Sequence, residues 1–224
     1  WVSACDHFEE APPRDRSGAV FEAVATMTAI ACETRHVRVG CYVFCINYRN
    51  PGLLAKSLVT IDHVSGGRVE CAIGAGWHQS EYRGFGIPFE PIGVREDQLE
   101  EYAQCLRLLF DQPEARFKGK HFTLDEARCY PKPVQAHLRI WIGGIGEKRT
   151  LPAAVKYADG WNCPYIGPEE FARKSRLLDA LCEKHGRDPK SLARTANVAF
   201  YMGADEAAAA RHRTAVEAWG AHAA

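Results

Sequence analysis

The sequence predicts an α/β fold, a (β/α)8 TIM barrel with its first and last strands absent. Three observations lead there. Strand-like apolar runs alternate with amphipathic helix-like runs about six times over 224 residues, the pattern of a parallel sheet with right-handed crossovers. Glycine and polar clusters follow four of the strand-like runs: Asp6 and His7, residues 74–77, residues 143–148, and Asn162. In a barrel those positions share one rim, whereas a doubly wound sheet gathers its ligands at one switch point. Finally, a complete barrel usually takes about 250 residues. The chain opens on the strand-like "WVSACDHF" and ends on the helix-like "EAWGAHAA", so one unit is expected to be missing at each end.

Residues 1–5 read as a short strand. A helix is expected over 17–34, capped by Ser17, with Phe21, Val24, Thr28 and Ala31 on one face. "HVRVGCYVF" (36–44) is rich in Val and aromatics and reads as a strand. Asn50-Pro51 pairs a capping side chain with a first-turn proline, and Leu54, Leu58 and Ile61 form the stripe of the helix that follows. "SGG" (65–67) ends that helix, and "RVECAIGAGW" (68–77) is the next strand with its turn. Residues 95–110 are a clear amphipathic helix with Leu99, Tyr102, Leu106 and Leu109 inward. A hairpin-like insertion is expected near 113–137, inside a single domain spanning 1–224. Strand 139–144, helix 147–158, strand 160–165, helix 168–185, strand 196–202 and an Ala-rich helix from about 204 complete the series.

Charge and cysteine usage narrow the function classes. Lys+Arg and Asp+Glu both number 28, which argues against nucleic acid or an anionic membrane surface as the main partner. No apolar run reaches the roughly 18 residues of a membrane span. The nine cysteines are odd in number and contain no C-x-x-C. Cys41, Cys45, Cys71, Cys105 and Cys163 sit in apolar surroundings, as buried thiols of a reducing, cytoplasmic compartment would. No metal site is expected, because no H-x-H or H-x-x-x-H accompanies His7.

"RIWIGGIGEKRT" (139–150) poses the sharpest chemical question. A P-loop needs Gly-Lys-Ser/Thr where Gly146 is followed by Glu147 and Lys148, and a dinucleotide fingerprint needs glycine where Arg149 stands. Asp159 precedes its strand and does not fit a ribose-binding acid. Yet free N–H groups and the dipole of the following helix favour an anion, with Lys148 or Arg149 adding charge. At the other strand ends, His7 can exchange a proton near neutral pH, with Asp6 placed to orient it. In "GAGWHQSE" (74–81), glycines permit close approach to a ligand, Trp77 offers an apolar wall and Glu81 a carboxylate at the mouth. Each cluster also has a purely structural reading: a capped loop histidine, a tight βα turn and a Gly-rich turn.

Taken together, the chain resembles the luciferase-like flavin and deazaflavin oxidoreductases. The matching stretches are "DHF" (6–8), residues 48–89 with "DHVSGGR" and "GAGW", "FKGKHFTL", "YPKPVQ" and residues 140–162, in order over most of 1–165. The likeness is nearest to the branch using the deazaflavin coenzyme F420, with FMN as the alternative cofactor and O₂ activation by an FMN-dependent monooxygenase as the alternative reaction. The resemblance implies a barrel with the coenzyme ring in its mouth, a small-molecule substrate and a possible homodimer. A non-catalytic flavin-binding barrel is a third possibility. It implies that His7, with Asp6 and Trp77, lies at the reacting centre. It places Cys41, Tyr42, Val43 and Phe44 in a turn that often holds a non-prolyl cis peptide and bulge behind the ring. Gly74 and Gly76 would approach the ring, and Gly143, Gly144, Ile145, Gly146, Glu147 and Lys148 would hold the phosphate tail, with Asn162 nearby. Trp77 stands where the sugar-phosphate dehydrogenases of the family have an acid, which argues against that activity.

Overall fold

The computed structural model describes residues 1–10, 18–198 and 202–220. Six strands form one parallel sheet: β1 (Val2–Ala4), β2 (Val39–Cys45), β3 (Val69–Gly74), β6 (Ile140–Gly143), β7 (Gly160–Pro164) and β8 (Ala193–Asn197). They lie side by side in chain order, β1-β2-β3-β6-β7-β8. A doubly wound sheet would reverse that order at a switch point. Monotonic order with every pairing parallel is barrel connectivity. The sheet is open, with β1 and β8 as its edges.

The helices are α1 (Ala23–Glu33), α2 (Pro51–Ser65), α3 (Gln79–Gly84), α4 (Ile92–Asp111), α5 (Thr150–Tyr157), α6 (Pro168–Lys184) and α7 (Glu206–Gly220). Between α4 and β6 lies an antiparallel hairpin of β4 (Ala115–Lys118) and β5 (Thr123–Ala127). Asn50 caps α2 by accepting from the Gly52 N–H at 2.8 Å, and Gly66 closes it at φ 67°. Leu54, Leu58 and Ile61 are buried, as are Leu99, Tyr102, Leu106 and Leu109 of α4.

Three boundaries differ from expectation. α1 starts at Ala23, with the Glu22 carboxylate accepting from the Ala25 N–H; Ser17 lies outside the described residues. Its buried face is Ala23, Met27 and Ala31, one residue every four, while Phe21 precedes the helix and is exposed. α5 starts at Thr150, leaving 147–149 in the preceding turn. β8 covers Ala193–Asn197, earlier than the expected 196–202, of which 199–201 lie outside the described residues.

The core lies between the sheet and its helices. Val39, Cys41 and Phe44 join Met27, Leu54, Leu58 and Ile73 in it. All nine cysteines are free, and those expected to be buried are buried. The spacing on β2 is informative. Residues of a regular strand alternate faces, so 39 and 41 share one. The β2–β3 register then slips, pairing Cys41 with Cys71 but Phe44 with Ile73. That one-residue bulge returns Phe44 to the core face and leaves both Tyr42 and Val43 off it. The Tyr42–Val43 peptide is cis.

Candidate active site

All six strands of the sheet run the same way, so their C-terminal ends share one rim. His7 follows β1, and its position is set by a carboxylate from another unit. His7 Nδ1 lies 2.9 Å from Oε2 of Glu81, the acid of α3 that follows β3. The Phe8 and Glu9 N–H groups donate to Glu81 Oε1 at 2.7 and 2.9 Å, and the Tyr48 hydroxyl donates to Oε2 at 2.9 Å. Glu81 is fully buried, lying beneath the mouth and not at its edge. Burial alone would raise its pKa, but hydrogen bonds from His7, the Glu9 N–H and Tyr48 outweigh that and bring it down to about 2. The carboxylate is therefore ionised at neutral pH, which favours the tautomer with hydrogen on His7 Nδ1 and a lone pair on Nε2.

Asp6 does not orient His7. Its carboxylate is buried in a fork of Arg49, with both oxygens at 2.8 Å, and accepts from the Cys45 N–H at 2.8 Å. This bidentate pair ties the loop after β1 to the end of β2. Trp77 does meet the histidine. Its ring lies edge-on to His7 at 5.6 Å, stacks on His78 at 4.8 Å, and remains about half exposed (54%).

The bulge of β2 places Val43, one of the turn residues that the resemblance put behind the ring. A Cβ built on Gly74 or Gly143 would fall 2.7 or 2.6 Å from a Val43 methyl carbon. Three consecutive strand ends of the sheet, β2, β3 and β6, thus close on Val43, and two glycines are required for it. Tyr42 stacks on Trp1 at 5.0 Å and meets Trp141 edge-on at 6.3 Å. Cys41 and Phe44, expected at the coenzyme, have side chains wholly buried in the core. A Cβ on Gly76, at φ 74°, would lie 1.8 Å from the Tyr82 hydroxyl.

The turn after β6 carries the anion-binding features. The Gly144 N–H donates to Asn162 O at 3.1 Å, and Trp161 Nε1 donates to Gly144 O at 2.7 Å. Among the described residues, the N–H groups of Ile145 through Arg149 have no protein acceptor. Ile145, Gly146 and Lys148 are exposed. Lys174 of α6, itself buried, donates to Ile145 O at 3.0 Å and to Glu147 at 2.7 Å. Glu147 also pairs with Arg173; Arg173 and Lys174 hold its carboxyl down to about 2. Arg149 is committed to Asp97. Hence Lys148 is the cation of this turn left facing solvent, and Glu147 is a brace, not a ligand. The Asn162 amide is likewise committed, to Thr195 Oγ1 at 3.0 Å and Asn197 Oδ1 at 3.1 Å.

Of the residues singled out by sequence, the structure brings His7, Trp77, Gly74 and the 143–148 turn to the strand-end rim. Sequence reasoning missed Tyr48, His78 and Lys174. Only the i, i+3 pair His78–Glu81 was visible as a motif, since both belong to one helical turn. No helix of the described residues is long and apolar enough to cross a membrane.

A family model described as luciferase-like monooxygenase matches residues 4–224. Pyrimidine monooxygenase RutA of Stutzerimonas stutzeri is 36% identical over 161 residues, covering 70% of this chain and 43% of that protein. An uncharacterised Mycobacterium tuberculosis protein is 32% identical over 149 residues, covering 66% of this chain and 52% of that one. The chain spans about half the length of these curated relatives. Among solved structures, an F420-dependent secondary alcohol dehydrogenase in complex with an F420–acetone adduct superposes with a TM-score of 0.78 at 27% identity, covering 86% of this chain and 58% of that one. Monooxygenase RslO1 from Streptomyces bottropensis gives 0.79 at 21% identity, covering 98% and 66%, a likeness of fold. With the barrel connectivity, the rim histidine and a family match over nearly its whole length, the chain belongs to the luciferase-like monooxygenase family.

Proposed function

We propose that this chain carries the coenzyme and proton-transfer groups of an oxidoreductase that moves a hydride between reduced deazaflavin coenzyme F420 and a small organic substrate. The observation that carries this reading is the His7–Glu81–Trp77 arrangement: an oriented imidazole against an exposed indole on the rim that bears the glycine turns. The 27% identity to an F420-dependent secondary alcohol dehydrogenase supports the same choice of coenzyme.

The residues fit a flat ring with a phosphorylated tail. Trp77 offers an exposed apolar face, and Val43 closes the floor between β2, β3 and β6. The unpaired N–H row of 145–149, with Lys148 beside it, suits a phosphate. Glu96 lies close to Gly146, where it accepts from Thr150 Oγ1 at 2.8 Å and burial raises its pKa. When bound, the coenzyme supplies the hydride chemistry.

The chain's own residues supply the rest. Glu81 fixes the His7 ring and keeps its hydrogen on Nδ1. Nε2 then accepts a proton from a substrate hydroxyl in the oxidation direction, and returns it to the carbonyl oxygen in the reduction direction. Trp77 excludes water from one side of His7 and shapes the substrate's place. The Asp6–Arg49 fork holds the loop on which His7 sits.

The test is oxidation of reduced F420 by a panel of small carbonyl compounds, followed by deazaflavin absorbance, for the protein and its His7→Ala variant. Turnover falling by about 10²–10⁴ in the variant is expected. Turnover unchanged by the substitution would remove His7 from the chemistry. A second reading, an oxygen-activating flavin monooxygenase, is favoured by the 36% identity to pyrimidine monooxygenase RutA. Oxygen consumption dependent on reduced FMN, without F420 turnover, would select it.

A further inference from the structure

Glu81 Oε2 is approached by two imidazoles, and the mechanism above uses only one. His7 Nδ1 lies 2.9 Å from that oxygen and His78 Nδ1 lies 3.2 Å from it. His78 is buried (9% exposed), and its Nδ1 makes no hydrogen bond despite this proximity. The nitrogen thus sits beside an ionised carboxylate without a hydrogen bond to it. A buried polar atom left in that state calls for a missing positive partner.

We propose that His7, His78 and Glu81 form a binding site for one first-row divalent cation of the zinc type. Their donor atoms all lie within 4.8 Å of one another. Donors held about 2.0–2.2 Å from an ion, at tetrahedral to octahedral angles, stand about 2.8–3.6 Å apart. The 2.9 and 3.2 Å separations from Glu81 Oε2 fall on that edge length. Two imidazoles and one carboxylate are a zinc donor set, and also suit iron(II) or cobalt(II). The surrounding contacts are those of a ligand shell. His78 Nε2 lies 3.2 Å from Ser80 Oγ, which can fix the ring with Nδ1 free. The Tyr48 hydroxyl and the Phe8 and Glu9 N–H groups anchor the carboxylate. Trp77 covers both rings.

The consequence for His7 is specific. A cation on Nδ1 replaces the hydrogen there, and the neutral ring then carries its hydrogen on Nε2. The rim-facing nitrogen changes from acceptor to donor, so metal loading would suppress proton abstraction by His7. The site therefore goes beyond the proposed reaction and opposes one direction of it.

The test is metal binding, read without any turnover. Metal-free protein is titrated with Co²⁺ and followed by visible d–d absorption, then challenged with Zn²⁺. Saturation at one equivalent and displacement by Zn²⁺ are expected. His78→Ala and His78→Gln should each weaken binding at least tenfold, with circular dichroism reporting that each variant is folded; should one fail to fold, the other decides. Absence of saturable binding would overturn the site, as would binding of unchanged affinity in the folded His78 variants. Because F420 turnover is assayed separately, failure here leaves the hydride reading intact.

Discussion

His7 and Glu81 come from different β/α units, and their 2.9 Å contact is the residue-scale basis of the functional reading. Sequence spacing could offer only Asp6, the adjacent acid, as the partner of His7. The structure gives Asp6 to Arg49 and Glu81 to His7, because a neighbour in sequence points away while a residue of α3 folds back over the loop. The consequence is measurable in acid. The Glu81 carboxyl is depressed from an ordinary 4.5 to about 2. A depressed carboxylate stabilises the fold fully above its unfolded pKa, and that contribution is lost as pH falls through the folded value. It is on the order of 3 kcal/mol at neutral pH. Urea midpoints measured between pH 5 and about pH 2 should fall more steeply for the protein than for Glu81→Gln. Parallel curves would mean that the contact contributes no linked stability. The same variant should lower turnover by less than His7→Ala, since it disturbs the ring's orientation and leaves the ring in place.

At the scale of elements, the strand ends were legible as glycine-rich turns, but the reason for each glycine was not. Gly74 and Gly143 are small because the β2 bulge puts Val43 against both. Alternation in "GCYVFC" announces no bulge; the resemblance to the family implied one there, and the structure turns the Cys41 and Phe44 side chains into the core. Gly143→Ala should destabilise the protein by about 1–3 kcal/mol through overpacking, and Val43→Ala in the same chain should recover part of it. Thermal unfolding of the two single variants and the double variant tests this; strict additivity would contradict the contact. The turn after β6 makes a second, separable claim. Lys148→Ala should weaken coenzyme binding while leaving hydride transfer within the bound state largely unchanged, which single-turnover kinetics can separate from binding. Loss of the hydride step at saturating coenzyme would show that Lys148 does more than hold a tail.

For the whole molecule, the β/α alternation made the barrel legible, because connectivity follows from element order. The open sheet follows from the same count: among the described residues, six parallel strands with β1 and β8 unpaired on their outer sides. Exposed strand edges template further pairing. The 224-residue chain produced alone should therefore associate or exchange strands, and light scattering after size exclusion should report species above the monomer. A monodisperse monomer with a sharp, cooperative melt would contradict that. The rim nonetheless assembles His7, Glu81, Trp77, Val43 and the 143–148 turn from four separate units, and the account stands on what that rim binds. The most direct measurement is a binding titration of the purified protein with F420 and, separately, with FMN. The account predicts saturable F420 binding that Lys148→Ala weakens. Tight FMN binding with no binding of F420 would contradict it.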